Sequence, residues 1–290
     1  EVITSPYTFF ASAECISVRG ALPVFADIDP VSYCIDPQSV AKLINSRTRA
    51  IIPVHIFGQP ADMDALMSLA REHRLAVVED CAQAIGAEYA GKRVGGFGDM
   101  GTFSFFPTKN LGGCGDGGMV VTNNPEYAEA LKIKRVHGSK PKYYHKVLGY
   151  NSRLDELQAA LLNVKLPYLD AWNKRRREIA MNYNEAFASL PVHRPMEKPG
   201  RKHIYHLYML QVPDRDDFRR FLKEKGVETG LYYPVPLHLQ EVYRDLGYKA
   251  GDLPVSEHAS AHCVALPCYP ELTDDEQNEV ISAVKAYFSS

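Results

Sequence analysis

Lys109 closes the run Ser104-Phe105-Phe106-Pro107-Thr108-Lys109 and is followed by Gly112-Gly113, while Glu79-Asp80-Cys81-Ala82-Gln83 stands upstream of it. A lysine set among a serine, a proline and glycines at a strand end can carry an aldehyde cofactor as a Schiff base. Once released, its amine can shuttle a substrate α-proton. Asp80 ends the apolar run Leu75-Ala76-Val77-Val78, where an open parallel sheet presents its ligand crevice. A carboxylate there can keep a pyridine nitrogen protonated and strengthen the ring as an electron sink. Glu79 alternates to the other face of the strand and is the poorer choice. Gln83 can bond a ring hydroxyl, and the Ser104 hydroxyl can donate to a phosphate. Each residue also has an ordinary reading: a surface lysine, a helix N-cap, loop chemistry, a serine satisfied by backbone. Their joint presence in this order points to a pyridoxal phosphate site.

Two rival motifs fail on their mechanics. Gly113-x-Gly115-x-x-Gly118 has a dinucleotide-like spacing but leads into the strand-like run Met119-Val120-Val121-Thr122, where that chemistry requires a helix facing the phosphates. The stretch from Gly86 to Gly91-Lys92 is P-loop-like, but Arg93 stands where a magnesium-binding Ser or Thr is required. The cysteines Cys15, Cys34, Cys81, Cys114, Cys263 and Cys268 form no Cys-x-x-Cys pair and have no histidines at metal spacing, so reduced thiols and no metal site are expected.

These residues must be positioned by alternating strands and helices. Strands are expected over residues 1–5, 23–27, 50–54, 76–79, 101–105 and 119–122, with an amphipathic helix over 60–74 carrying Met63, Leu66, Met67 and Leu69. A further helix is expected from Asn151 and Ser152 as caps, with Leu154, Leu157, Leu161 and Val164 on one face, bent or broken at Pro167. After a helix over 169–189, Pro191, Pro195, Pro199 and Gly200 lead into strand-like 203–212, helical 214–225, strand-like 227–233 and helical 273–288. The pattern is α/β: a large domain over 1–166 with a mostly parallel sheet, then a connecting helix and a smaller α+β domain over 167–290. The basic cluster Lys174-Arg175-Arg176-Arg177 reads as a solvated helix face rather than a nucleotide site. A formal net charge of −2 with 23% charged residues gives no reason to expect nucleic acid, and no apolar run reaches membrane-spanning length. A cytoplasmic protein is expected.

With these motifs assembled, the chain resembles the DegT-type sugar aminotransferases, fold type I pyridoxal phosphate enzymes of the aspartate aminotransferase superfamily. The resemblance is carried by Glu1-Val2-Ile3-Thr4, the run from Pro53 to Pro60, Glu79 to Gln83, Phe103 to Gly118, Gly149-Tyr150-Asn151-Ser152-Arg153-Leu154 and Tyr233-Pro234-Val235-Pro236-Leu237-His238. It implies that Lys109 carries the cofactor, Asp80 pairs with the ring nitrogen, Gln83 touches the ring hydroxyl, Ser104 binds the phosphate and Phe9 stacks on the ring. It further implies a homodimer with shared active sites, in which Asn151 reaches the neighbour's cofactor phosphate. His206, His238 and Arg153 become candidates for substrate contact.

Sugar dehydratases of the same fold carry histidine where this chain has Lys109, so the resemblance implies transamination. The expected reaction moves an amino group from glutamate to a keto group of a nucleotide-linked deoxysugar. The stretch Tyr143-Tyr144-His145 before Gly149-Tyr150-Asn151 is closer to enzymes that aminate C3 than to those that aminate C4. The alternative is a catalytically silent regulator or sensor. Members of the family have a Gly-Thr phosphate-gripping segment upstream of the Glu1-Val2-Ile3-Thr4 strand, so the chain as given is expected to bind cofactor weakly or to fold incompletely.

Overall fold

The structure, a computed structural model, describes residues 1–289. Its first half alternates β1 (Val2–Thr4), α1 (Ala11–Val18), β2 (Pro23–Phe25), α2 (Pro37–Leu43), β3 (Ala50–Ile52), α3 (Met63–His73) and β4 (Ala76–Asp80). Asp36 starts α2 by accepting from the N–H groups of Gln38 and Ser39, with Pro37 in the first turn, and Asp62 starts α3 by accepting from Ala65 N. A hairpin of β5 (Glu88–Tyr89) and β6 (Lys92–Arg93) replaces a crossover helix before β7 (Met100–Ser104) and β8 (Gly118–Val121). The dinucleotide-like spacing therefore leads into a strand, β8, as expected, and the P-loop-like stretch runs into β6.

The sheet has the order β2-β1-β3-β4-β7-β8, parallel throughout except for β8, which runs antiparallel to β7 at one edge. Ile3, Ile51 and Val77 are fully buried at its centre, as expected of strands covered on both faces. The C-terminal ends of β1, β4 and β7 open on one side, and each feeds a loop that carries candidate residues.

Beyond β8 come α4 (Pro125–Lys134), α5 (Glu156–Lys165) and α6 (Leu169–Ala186), with Pro167 in a 3-10 turn, Leu166–Tyr168, that bends the chain between the last two. Next come β9 (Arg201–Lys202), β10 (Tyr208–Gln211), α7 (Arg215–Glu224), α8 (Pro254–His262), β11 (Cys263–Leu266) and α9 (Asp274–Tyr287). Thr273 and Glu276 close a reciprocal capping box at the start of α9. The antiparallel pair β10–β11 is buried on both faces, and its period-two alternation joins two cores. Met209, Cys263 and Ala265 pack with the large sheet's core, whereas Tyr208, Leu210, Val264 and Leu266 pack with α6, α7 and α9.

Three expectations are corrected. The helix after Gly149 begins at Glu156 and not at Asn151, because the Asn151 backbone is bridged to Val136. The face carrying Leu157 and Val164 is 74% and 69% exposed, and Leu162 is the residue that turns inward. Residues 227–233 form no strand beyond a single bridge from Gly230 to Ala265, since the edge beside β11 is met at that point alone. The basic cluster is not a freely solvated face: Arg176 is 7% exposed and donates to the carbonyls of Tyr205, His206 and Cys268, while Arg175 and Arg177 pair with Asp274 and Glu197.

Candidate active site

Asp80 is the last residue of β4, fixed on both sides of its peptide: its N–H donates to Pro53 O at 2.9 Å and its carbonyl accepts from His55 N at 3.0 Å. Its carboxylate is oriented as well. Oδ1 accepts from Ala82 N at 3.0 Å and Oδ2 from Ser12 Oγ at 2.7 Å. Because Ser12 spends its proton on Asp80, the 3.1 Å contact with Thr8 must be donated by Thr8. Glu79 points the other way and is fully buried, accepting from His55 Nε2 and from the N–H groups of Gly95, Phe97 and Gly98. Burial alone would raise its pKa, but the His55 bond and the backbone amides overcome this and hold it below the ordinary carboxylate range. His55, Glu79 and Cys81 bring ligand atoms within 4.8 Å of one another, yet His55 Nδ1 already accepts from Ala61 N and Glu79 is fully engaged. The trio is a structural cluster.

Gln83 is 6% exposed and is held at both ends of its amide: Oε1 accepts from Phe57 N at 2.6 Å and Nε2 donates to Tyr233 Oη at 3.0 Å. The second Nε2 proton remains available. Burial pushes the Tyr233 phenol well up, so it stays protonated. Phe9 follows β1 and keeps its ring 60% exposed, 6.1 Å from that of Tyr233. Ser104 ends β7, and its Oγ accepts from Phe106 N at 3.2 Å, which leaves the hydroxyl proton free to donate.

Lys109 sits in the turn after β7, where its N–H donates to Phe106 O and Gly113 N returns to Phe105 O. Its amine makes no hydrogen bond or ion pair among the described residues. Burial lowers its pKa and the Asp80 charge partly opposes this, so the neutral amine is more available than on an exposed lysine. His206, 8% exposed, stands beside it with Nδ1 2.9 Å from Asn110 Oδ1.

Of the proposed site residues, Asp80, Gln83, Ser104, Lys109, Phe9 and His206 come from strand ends and loops on one side of the sheet. Asn151 and Arg153 are exposed, with side chains that bond nothing else among the described residues. His238 is 1% exposed in a 3-10 turn and gives Nε2 to Glu257 at 3.1 Å, so it presents no open face to a substrate. Sequence reading missed Ser12, Thr8, Asn110, Asn173 and Tyr233. Only Asn110, next to Lys109, carried a signal; Ser12 lies 68 residues from Asp80 in a helix without a capping side chain.

These residues fit pyridoxal phosphate. An oriented carboxylate, an unpartnered lysine of lowered basicity, an exposed aromatic ring and two groups with unused protons are the parts that its ring, aldehyde and phosphate require.

The family model described as the DegT/DnrJ/EryC1/StrS aminotransferase family matches residues 1–285. A "pleiotropic regulatory protein" of Geobacillus stearothermophilus is 53% identical, over 99% of this chain and 78% of the relative. The UDP-N-acetyl-3-dehydro-alpha-D-glucosamine 3-aminotransferase of Acidithiobacillus ferrooxidans is 44% identical, over 98% of this chain and 77% of the relative. Among solved structures, DesV of S. venezuelae, described in complex with a ketimine intermediate, superposes with a TM-score of 0.97 at 43% identity, covering 100% of this chain and 78% of DesV. The matching family model, the agreement with DesV along the whole chain and a site that fits its cofactor lead to one conclusion: the chain belongs to the DegT/DnrJ/EryC1/StrS family of pyridoxal phosphate-dependent aminotransferases.

Proposed function

We propose that the protein transfers an amino group from glutamate to the C3 keto group of a nucleotide-linked deoxysugar, as a cytoplasmic homodimer whose two sites are shared between subunits. The observation that carries the reaction type is the Lys109 amine, free of partners and lowered in basicity, in the same cleft as the oriented Asp80 carboxylate. The position of amination is supported by relatives whose names specify 3-amino products. When bound, pyridoxal phosphate would supply the electron sink that the transfer requires, held by Lys109, Asp80, Gln83, Ser104 and Phe9.

This chain's residues do the rest. Asp80, aligned by Ser12 and Ala82, holds the proton on the ring nitrogen. Phe9 covers one ring face and excludes water from it, while Gln83 and Ser104 direct protons at the ring hydroxyl and the phosphate. Lys109 Nζ takes the α-proton from the donor and returns a proton during amination of the sugar. We assign His238 a structural role and leave substrate contact to His206 and Arg153. A silent regulatory role, the name borne by the Geobacillus relative, is disfavoured because the chain keeps both Lys109 and Asp80 and other relatives are named as nucleotide-sugar transaminases.

A shared dimer is supported by apolar side chains left uncovered on one chain: Leu148 at 96%, Tyr143 at 79%, Leu157 at 74% and Val164 at 69%. In the dimer Asn151 reaches the neighbour's phosphate. A cytoplasmic setting agrees with six free cysteines, and no helix among the described residues is long and apolar enough to cross a membrane.

The reaction is tested by recording the visible spectrum with pyridoxal phosphate, before and after glutamate, and then offering 3-keto and 4-keto nucleotide sugars. A yellow band that depends on Lys109, bleaches with glutamate and returns with the 3-keto sugar is expected. Loss of the band in Lys109→Ala is the control. Turnover of the 4-keto sugar alone would overturn the C3 assignment.

A further inference from the structure

A polar chain runs from the residue after Lys109 into the helix that leads to the second core. Asn110 Nδ2 donates to Asn173 Oδ1 at 2.7 Å, and Asn173 Nδ2 donates to the Ile85 carbonyl at 3.0 Å. At the other end, His206 Nδ1 lies 2.9 Å from Asn110 Oδ1. Asn110, Asn173 and His206 are 6%, 3% and 8% exposed, so water has little access with which to rearrange them.

The Ile85 carbonyl fixes the direction of the whole chain because it can only accept. Asn173 must turn its NH2 to that carbonyl and its oxygen to Asn110. Asn110 must then turn its NH2 to Asn173 and its oxygen to His206, which leaves the His206 proton on Nδ1. Reversing either amide would set oxygen against oxygen at one end and NH2 against N–H at the other. Gly86 makes room for the anchor, since a Cβ there would stand 2.7 Å from Asn173 Nδ2.

A neutral imidazole protonated at Nδ1 carries its lone pair on Nε2. That atom has no partner among the described residues and is not one of their buried unpartnered nitrogens, so it meets accessible space. Burial disfavours the charged ring, and Lys109, Arg176 and His203, the titratable groups that face it, act in the same direction.

We propose that Asn110 and Asn173 are positioning residues that lock His206 in its Nδ1–H tautomer, so that Nε2 acts as a fixed acceptor for a hydroxyl of the sugar bound beside Lys109. The sugar hydroxyl in this statement rests on the aminotransferase reading above; the tautomer lock does not.

The test is two-bond 1H–15N correlation on the full chain labelled at histidine, with and without pyridoxal phosphate, between about pH 5 and pH 8. The His206 signals are assigned by their loss in His206→Gln. Wild type is expected to show a single neutral Nδ1–H tautomer that does not titrate. Asn110→Asp brings a carboxylate to Nδ1 and is expected to make His206 titrate within that range, adding a limb to the pH–rate profile. Asn173→Ala frees the Asn110 amide and is expected to give mixed tautomers, with KM for the ketosugar raised about tenfold and the glutamate half-reaction nearly unchanged. Wild-type His206 found as Nε2–H, or titrating near its ordinary value, would overturn the lock even if neither variant folds. Equal losses in the two half-reactions of Asn173→Ala would overturn the hydroxyl-acceptor role. A locked Nδ1–H tautomer in a protein inert to every nucleotide ketosugar would support the lock and refute the aminotransfer reading instead.

Discussion

Glu79 and Asp80 are neighbours in sequence and opposites in environment. Asp80 keeps one edge toward the cleft, whereas Glu79 is sealed beneath the sheet and ties His55 to the loop Gly95–Phe97–Gly98. The Glu79 pKa is depressed in the folded chain, so its contribution to stability is fully present above the unfolded value of about 4.3 and is lost as pH falls through the folded value. Glu79→Gln sets an NH2 against backbone donors that the carboxylate satisfied and should cost about 3 kcal/mol or more. Urea unfolding at neutral and acid pH measures this: the variant should lie well below wild type at pH 7 and lose less than wild type on acidification. A variant as stable as wild type at pH 7 would mean that the cluster does not hold this region together. The alternation that separates the two carboxylates was legible from the apolar run before them, but the partners of Glu79 were not, because they lie on a loop that only the fold brings beneath β4.

Among the elements, the turn after β7 bears most directly on function. The glycines following Lys109 signal tight backbone in any reading, and the structure shows what they are tight against: a Cβ at Gly112 would stand 2.2 Å from Pro107 O and 3.0 Å from Phe106 O. Gly112→Ala must therefore push the carbonyls that shape the Lys109 turn, at a cost of about 1–3 kcal/mol. Weaker pyridoxal phosphate binding, by about tenfold or more, is expected beside a lower melting temperature. Absorbance titration and a thermal melt read both effects, and unchanged binding would show that the turn tolerates the shift. By contrast, the start of α5 was misread because Asn151 and Ser152 look like caps in isolation. A pairing with Val136 claims that backbone, and the helix waits for Asp155. Local cap chemistry states a preference; a competing long-range bridge decides it.

On the scale of the whole molecule, the exposed face of α5 has no partner among the described residues. Leu157→Asp should leave the monomer's fold intact, since the residue is 74% exposed, while shifting the proposed dimer toward monomer and reducing turnover with it. Sedimentation velocity alongside the coupled assay reads both. A dimer that survives the substitution with full activity would place the shared interface elsewhere. The same surface marks what helical periodicity over Leu157, Leu161 and Val164 can give: it shows that a face is apolar and does not show which molecule covers it.

Much of this protein is written in local sequence. The apolar runs and the order Asp80, Gln83, Ser104, Lys109 are legible from periodicity and the chemistry of adjacent residues, which act over a few positions; the Asp36 and Asp62 helix starts are equally local but emerge only in the structure. Tertiary structure alone decided what holds those groups: Ser12 on Asp80 from 68 residues away, Tyr233 on Gln83 from 150, and the Asn110–Asn173–His206 chain spanning separations of 63 and 96. It also turned a basic run into the buried Arg176 and withdrew His238 from the cleft. The reason is physical. A buried polar group takes whichever partner the packing brings within about 3 Å, and sequence spacing places no limit on where that partner comes from.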